Sequence, residues 1–195
     1  VLDRYLFSKA IRYAMADTPL VIGICGSLRD QSTTRTAISH VLDAAADSGA
    51  DTHCLDLRDW DLPLFDPDDR TRGDASELSR TARAADSIVL GTPVYHGMIS
   101  STLKNAFDYL GRDEFAGKTV GLVVTAGGGS YGPTLEHLRT GVRSVHGWTL
   151  PHEIGIRNAS NAFDERRIVD PGFEERIQKL GRMTVTYAGV GSPSK

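Results

Sequence analysis

Five short strand-like segments alternate with segments of helical periodicity along most of the chain. They are Leu20–Cys25, Thr52–Leu57, Ser87–Leu90, Thr119–Thr125 and a weaker Thr149–Ile156. A continuous apolar run such as LVIGIC is typical of a parallel strand buried on both faces. Because strands alternate with helices, the sequence predicts an α/β fold: a doubly wound parallel sheet with helices on both sides.

The helices have recognisable starts and ends. The first is expected from about Ser32 to Ser48, where Gly49 stops it. Asp74, followed three residues later by Glu77, resembles a capping box that opens the second. The remaining helices are expected to begin at Ser100 or Ser101, at Pro133 and at Asp170–Pro171.

The composition excludes several classes of protein. The net charge of -3 gives no general attraction to nucleic acid or to an anionic membrane. No apolar stretch approaches the roughly 20 residues of a membrane span. Cys25 and Cys54 form no CxxC pair, so buried free thiols are expected and no metal site. We expect an N-terminal extension over residues 1–19, one domain over 20–190, and a cytoplasmic protein.

Ligands of such sheets bind beyond the carboxyl ends of the strands. The loop at the carboxyl end of the first strand is GSLRDQSTTR. A helix N-terminus with free N–H groups follows it, which suits a phosphate. The side chains that could help are those of Ser27, Arg29, Ser32, Thr33 and Thr34. The stretch matches neither GxxxxGK[ST] nor GxGxxG, which disfavours a P-loop or a dinucleotide site. The alternative is a solvated turn in which Ser32 only caps the helix.

Two further loops at the same edge suit a flat ring. In TPVYHG, Pro93 stiffens the backbone and Gly97 permits a turn, while Tyr95 and His96 could stack on a ring or flank it. The alternatives are a core aromatic for Tyr95 and a surface histidine for His96.

After the fourth strand, Thr125 and Ala126 precede three consecutive glycines, Gly127 to Gly129, which let a ligand approach the backbone closely. The alternative is a flexible surface loop. A phosphate at one end, a flat ring at the other and a chain between them describe a flavin mononucleotide (FMN).

Together, GSLRDQSTTR, TPVYHGMISSTLKNAFDYL and TAGGGSYG resemble the NAD(P)H-dependent FMN reductase family. Its members include flavin, quinone, azo-dye and chromate reductases of the flavodoxin-like fold. The resemblance spans about residues 20–156 and implies a three-layer sandwich whose five-stranded parallel sheet has the order 2-1-3-4-5. The residues it assigns are Ser27, Arg29, Ser32, Thr33 and Thr34 to the FMN phosphate; Pro93, Val94, Tyr95, His96 and Gly97 to the isoalloxazine; and Thr125, Gly127, Gly128 and Gly129 to its pyrimidine end.

The resemblance implies an oxidoreductase that passes hydride from NADPH or NADH to FMN and on to a free flavin, a quinone, an azo compound or a metal oxyanion. His96 is a candidate proton donor, since histidine titrates near neutral pH. Many relatives carry Glu and Asn where this chain has Val94 and His96, so the surroundings of the ring differ here.

Two alternative functions belong to other classes of protein. One is a flavodoxin-like electron carrier with no NAD(P)H oxidation of its own, although its T-x-T-G-x-T loop is absent. The other is a flavin-free regulator, which needs acidic residues at the strand ends where Cys25 and Gly91 stand.

The sequence does not assign the residues of the subunit contact or those that select between NADPH and NADH. The resemblance implies a homodimer or homotetramer, with Phe107 and Leu110 as candidate contacts, although both also suit the core of one chain. A preference for NADPH needs an arginine near the nucleotide. The candidates, which the sequence does not separate, are Arg70, Arg72, Arg112 and Arg157.

Overall fold

The computed structural model describes residues 18–190, so most of the expected N-terminal extension and the last five residues lie outside it. The strands are β1 (Leu20–Cys25), β2 (Asp51–Asp56), β3 (Ser87–Pro93), β4 (Thr119–Thr125), β5 (Trp148–Thr149), β6 (Ile154–Ile156), β7 (Phe163–Asp164) and β8 (Arg167–Ile168). The helices are α1 (Thr33–Ala46), α2 (Ala75–Ala84), α3 (Ser101–Tyr109), α4 (Arg112–Phe115), α5 (Gly132–Ser144) and α6 (Pro171–Thr186).

The main sheet is parallel and has the order β2-β1-β3-β4-β5, with β6 also paired to β4. This confirms the predicted order 2-1-3-4-5 of the flavodoxin-like fold. The chain passes from β1 to β2 on one side and returns to β3 on the other. The strand order therefore reverses between β1 and β3, where a crevice for ligands opens at the carboxyl ends.

Alternate residues of each strand face opposite sides of the sheet, which produces two hydrophobic cores. Ile22 and Ile24 face α2, α3 and α5, whereas Val21 and Cys25 face α1 and α6. The apolar residues of α1 that recur with helical spacing are all buried: Ala37, Ile38, Val41, Leu42 and Ala45. The three-layer sandwich is therefore confirmed. No helix among residues 18–190 is long and apolar enough to cross a membrane.

Three predicted elements differ from the structure. β3 continues to Pro93, because β4 is long enough to pair with it as far as Thr125. The fifth strand is divided into β5 and β6, with Pro151, which lacks an N–H donor, between them. The capping box at α2 was wrong, because the carboxylate of Asp74 accepts from the N–H of Asp61 (2.8 Å) and caps nothing.

The segment between β6 and α6 packs into the hydrophobic core that lies between the sheet and helices α1 and α6. It contains a 3₁₀ turn at Ala159–Asn161 and the hairpin of β7 and β8. Phe163 lies between His40 of α1 and Phe173 of α6, with ring centroids 6.2 and 5.9 Å away. The Nε2 atom of His40 lies 2.6 Å from the carbonyl oxygen of Arg166. These contacts hold residues 157–170 against both helices.

Candidate functional site

Backbone hydrogen bonds join the three predicted loops at the carboxyl edge of the sheet. The N–H of Gly26 donates to the carbonyl of Gly91 (2.8 Å), which ties the loop after β1 to β3. The N–H of Val94 donates to the carbonyl of Thr125 (2.8 Å), which ties the loop after β3 to the end of β4. Segments far apart in the sequence therefore form one continuous surface.

The loop after β1 ends in a capped helix with free backbone donors. Ser32 is the N-cap of α1, and its hydroxyl accepts from the N–H of Arg35 (3.1 Å). The N–H groups of Thr33 and Thr34 donate to no group within residues 18–190. Ser27 is buried at the start of the loop. Free N–H groups at the positive end of a helix make this loop suitable for an anion.

The two arginines of the loop differ in their surroundings. The guanidinium of Arg35 donates to the carbonyls of Arg29 (2.9 Å) and Asp30 (3.1 Å), and its Nε lies 2.5 Å from the carboxylate of Asp56. Arg35 therefore holds the loop in shape from within. Arg29 is exposed and forms no ion pair with the described residues, so its guanidinium is available to a ligand.

Cys25 lies beneath the same loop. Burial raises the pKa of its thiol to about 11, despite hydrogen bonds from Ser27 and Ser32 that lower it. Burial likewise raises the pKa of Cys54 to about 12, and both cysteines are free. A neutral thiol is a poor nucleophile, so Cys25 contributes packing to the site and no thiolate chemistry.

The loop after β3 is a tight two-residue hairpin. Tyr95 and Met98 exchange backbone hydrogen bonds of 3.1 and 3.0 Å, and the residues between them, His96 and Gly97, have φ of 53° and 76°. The side chains of Tyr95, His96 and Met98 are all exposed, while Pro93 and Val94 are partly buried. The buried hydroxyl of Thr134 on α5 donates to the carbonyl of Gly97 (3.0 Å) and fixes the turn from behind.

The glycine loop presents bare backbone at the end of β4. A Cβ on Gly127 or Gly129 would meet nothing within 4 Å, so the space beside them is open. The carbonyl of Gly128 accepts from the Nε of Arg157 (3.0 Å). Thr125 is different, because its hydroxyl is buried and lies 2.6 Å from the hydroxyl of Thr34. Thr34 and Thr125 thus join the loops from within and do not present their hydroxyls at the surface.

Ser100 and Thr92 also organise the site, although the motif assignment did not include them. The buried hydroxyl of Ser100 donates to the carbonyl of Gly26 (2.7 Å) and caps α3 by accepting from the N–H of Leu103 (3.2 Å). The N–H of Ser100 donates to the hydroxyl of Thr92 (2.9 Å). The capping role was readable from the sequence, but the bond to Gly26 depends on the packing of α3 against β1.

Asn105 is a third residue that the sequence motifs did not assign to the site. From the middle of α3 its side-chain amide donates to the carbonyls of Leu62 (3.1 Å) and Pro63 (2.9 Å), and its oxygen accepts from the N–H of Phe65 (2.8 Å). It therefore holds the long loop after β2 against the site. An asparagine inside a helix is a weak signal for such a tertiary partner.

The residues present fit an FMN. The free amides and exposed guanidinium after β1 suit its phosphate, and the open backbone of the glycine loop and the hairpin suits the edge of its ring. A surface depression of about 410 Å³ at Arg143 and Trp148 lies near the start of β5, at the other end of the strands, and does not belong to this site.

Leu110 is 4% exposed, inside the core between α3 and the sheet. Phe107 packs on Phe115, with ring centroids 5.1 Å apart. Leu110 is therefore a core residue of one chain. Phe107 is partly buried against the same core, and its expected place in a contact between subunits stays a prediction.

Residues 19–161 match the model of the NADPH-dependent FMN reductases, and the chain belongs to that family. It is similar to the FMN-dependent NADPH-azoreductase of Staphylococcus aureus, with 41% identity over 97 residues. That match covers 50% of this chain and 52% of the azoreductase, so the chain spans about half the length of the curated relatives it matches.

Solved structures show the same fold at low sequence identity. The NAD(P)H:acceptor oxidoreductase of Paracoccus denitrificans has a TM-score of 0.76 at 17% identity, over 89% of this chain and 99% of its own. The flavodoxin of Megasphaera elsdenii has a TM-score of 0.59 at 18% identity, over 85% of this chain and 98% of its own. An oxidoreductase and a flavodoxin thus share this architecture, and the fold alone does not separate them.

Proposed function

We propose that the protein is an FMN-dependent oxidoreductase that takes hydride from NADPH or NADH and passes it to a small acceptor. The observation that carries the proposal is the joining of the three loops, which places free amides at one end of a single surface and bare glycine backbone at the other. The match of residues 19–161 to the NADPH-dependent FMN reductases supports the same conclusion.

Different residues bind the phosphate and the ring of FMN. The N–H groups of Thr33 and Thr34, the guanidinium of Arg29 and the hydroxyls of Ser27 and Ser32 bind the phosphate. The backbone from Pro93 to Gly97 and from Gly127 to Gly129 lies along the ring. When bound, FMN supplies the hydride chemistry, and the protein supplies position and electrostatics.

The exposed hairpin bears on the choice of acceptor. Tyr95 and Met98 are 48% and 49% exposed on either side of the turn, which leaves an open apolar rim beside the ring. Such a rim suits flat acceptors such as a free flavin, a quinone or an azo compound, and an open face also admits a metal oxyanion. The azoreductase relative makes an azo dye the first acceptor to test. His96, exposed at the tip of the turn, is placed to donate a proton to a reduced acceptor.

The resemblance to the family extends the proposal to a homo-oligomer in the cytoplasm. Because Leu110 is buried in the core, the partly buried Phe107 is the residue of this pair that stays a candidate for the contact between subunits.

The visible spectrum of the protein tests the function directly. The protein is mixed with FMN, desalted, made anaerobic, and then titrated with NADPH and, separately, NADH. Retained flavin absorbance that bleaches with either nucleotide is the expected result, followed by steady-state turnover on adding a quinone or azo dye.

A retained flavin that neither nucleotide bleaches would favour the flavodoxin-like electron carrier. Loss of all flavin on desalting would be followed by a fluorescence titration, because a reductase that uses FMN as a substrate binds it weakly. No detectable FMN affinity would contradict the proposal. A titration with riboflavin, which has the same ring and no phosphate, measures how much of the affinity the phosphate loop contributes.

A further inference from the structure

A depression of about 350 Å³ opens at the carboxyl end of β6. Its polar and aromatic lining comes from Arg157, Asn158, Asn161, Asp170, Phe173 and Arg176. Part of this wall, including Arg176, lies beyond residue 161, where the match to the family ends. The depression is therefore built in part from a segment outside the family match.

The depression is connected to the proposed flavin site by direct contacts. The Nε of Arg157 donates to the carbonyl of Gly128 (3.0 Å), at the middle of the glycine loop. The N–H of Ala126 donates to the carbonyl of Ile156 (2.7 Å), and the N–H of Ala159 to the carbonyl of Ala126 (3.0 Å). The rim of the depression is thus continuous with the loop assigned to the pyrimidine end of the ring.

The charges in the depression favour an anion. Neither Arg157 nor Arg176 forms an ion pair with any residue between 18 and 190. The one carboxylate in the lining, that of Asp170, caps α6 by accepting from the N–H groups of Gly172 (2.8 Å) and Phe173 (3.4 Å). The carboxylate of Asp170 therefore interacts with the positive end of α6 and pairs with neither arginine. The two guanidinium groups are left to bind a ligand.

The structure distinguishes Arg157 from the other three candidate arginines by their surroundings. Arg70 lies over the ring of Phe65, 5.5 Å from its centroid, and Arg72 is 4.0 Å from the carboxylate of Asp66. Arg112 begins the short helix that precedes β4, so it lies at the amino-terminal edge of the sheet, opposite the site.

We propose that this depression binds the 2′-phosphate of NADPH, with Arg157 and Arg176 as its ligands. The inference rests on the proposed function, because a nicotinamide placed over the flavin must extend its adenosine end across the rim of the site. A phosphate monoester carries close to two negative charges and matches the planar fork of a guanidinium. NADH has no such group, so the depression distinguishes the two nucleotides.

The test compares NADPH with NADH in the FMN-loaded protein and its Arg157→Ala and Arg176→Ala variants. Since a charge-assisted hydrogen bond contributes enough to change an affinity by about tenfold or more, the KM for NADPH is expected to rise about tenfold in each. In Arg176→Ala the KM for NADH and the kcat with either nucleotide are expected to stay within about twofold. Arg182→Ala, an exposed change later on α6, is the matched control and should alter neither.

A binding measurement provides a second readout that does not depend on turnover. Calorimetry with adenosine 2′-monophosphate should show binding that both variants weaken and Arg182→Ala does not, whereas adenosine 5′-monophosphate should bind more weakly to the unaltered protein. Arg176→Ala is the decisive variant, because the Arg157 side chain also contacts Gly128.

An unchanged KM for NADPH in Arg176→Ala, or an equal rise for both nucleotides, would overturn the inference and leave the proposed function standing. A protein that binds FMN but oxidises neither nucleotide would overturn the function instead. In that case, absence of adenosine 2′-monophosphate binding would overturn this site as well.

Discussion

The hydroxyl oxygens of Thr34 and Thr125 lie 2.6 Å apart in the interior, although 91 positions separate the two residues in the sequence. Thr34 is in the first turn of α1 and Thr125 ends β4. The carbonyl of Thr125 also accepts from the N–H of Val94 (2.8 Å). Thr125 therefore connects all three loops of the candidate site, and its position sets the distance between the phosphate end and the ring end.

Replacing either threonine of this pair by valine should destabilise the protein. A lone buried hydroxyl that loses its partner costs about 1–3 kcal/mol, so Thr34→Val and Thr125→Val are each expected to lower the free energy of unfolding by that amount. The double variant should cost less than the sum, because no hydroxyl is then left without a partner. Urea unfolding of the unaltered protein, the two single variants and the double variant gives the coupling free energy between the two hydroxyls. Strictly additive effects would show that the two hydroxyls do not interact.

Arg29 should contribute to FMN binding and not to stability, whereas Arg35 should contribute to stability. Arg29→Ala is expected to weaken FMN binding by about ten- to a hundredfold, since a charged contact contributes about 1.5–3 kcal/mol, with the unfolding midpoint unchanged. Arg35→Ala should lower the midpoint, because Arg35 holds two loop carbonyls and pairs with Asp56. Fluorescence titration and thermal unfolding measure both quantities. Equal FMN affinity in the Arg29 variant would remove Arg29 from the site.

The hairpin turn makes position 96 sensitive to backbone conformation. His96 and Gly97 both have positive φ, as in a type I′ turn, where Asn-Gly is preferred. His96→Asn should therefore keep or slightly raise stability, whereas His96→Val should lower it by about 1–2 kcal/mol, the cost of left-handed backbone for a branched residue. Chemical denaturation measures this difference.

The same asparagine variant tests proton donation, since it keeps the turn and removes the imidazole. A proton-donating His96 predicts slower turnover and an altered pH profile in His96→Asn. Turnover with an unchanged pH profile would end that assignment.

Glu114 should make folding sensitive to acid. Burial raises the pKa of its carboxyl, but hydrogen bonds from Ser79 (2.6 Å), the N–H of Gly111 (2.8 Å) and Arg83 (2.8 Å) outweigh it, so the pKa lies below its ordinary value. The stability contributed by Glu114 is then complete above the unfolded pKa of about 4.5 and is lost as the pH falls through the lower folded value.

Glu114→Gln is accordingly expected to lower the free energy of unfolding at neutral pH by about 1–3 kcal/mol, and the deficit should shrink on acidification. The neighbouring Asp113, whose side chain is 79% exposed and 3.7 Å from Arg83, provides the control. Asp113→Asn should change stability by less than about 0.5 kcal/mol. A deficit for Glu114→Gln that is the same at every pH would contradict the ionised role of Glu114.

Much of the fold and the position of the site were predictable, because the signals are local. The apolar run of β1, the Ser32 cap and the Pro171 start each follow from residues near one another in the chain. Local signals failed where a distant partner decides. The side chain of Asp74 bonds to Asp61 and not to its own helix, and β3 extends to Pro93 because β4 lies beside it.

The sequence by itself determined the α/β class, the strand order through the family resemblance, and which three loops form the candidate site. Only the tertiary structure decided which side chains of those loops face outward. Thr34 and Thr125 turn inward to each other, Arg35 turns back onto its own loop, and Arg29 stays exposed. The reason is physical: a polar side chain near a helix end or strand end has several partners within reach. Packing of the sheet and helices brings some of these partners within hydrogen-bonding distance and excludes the others.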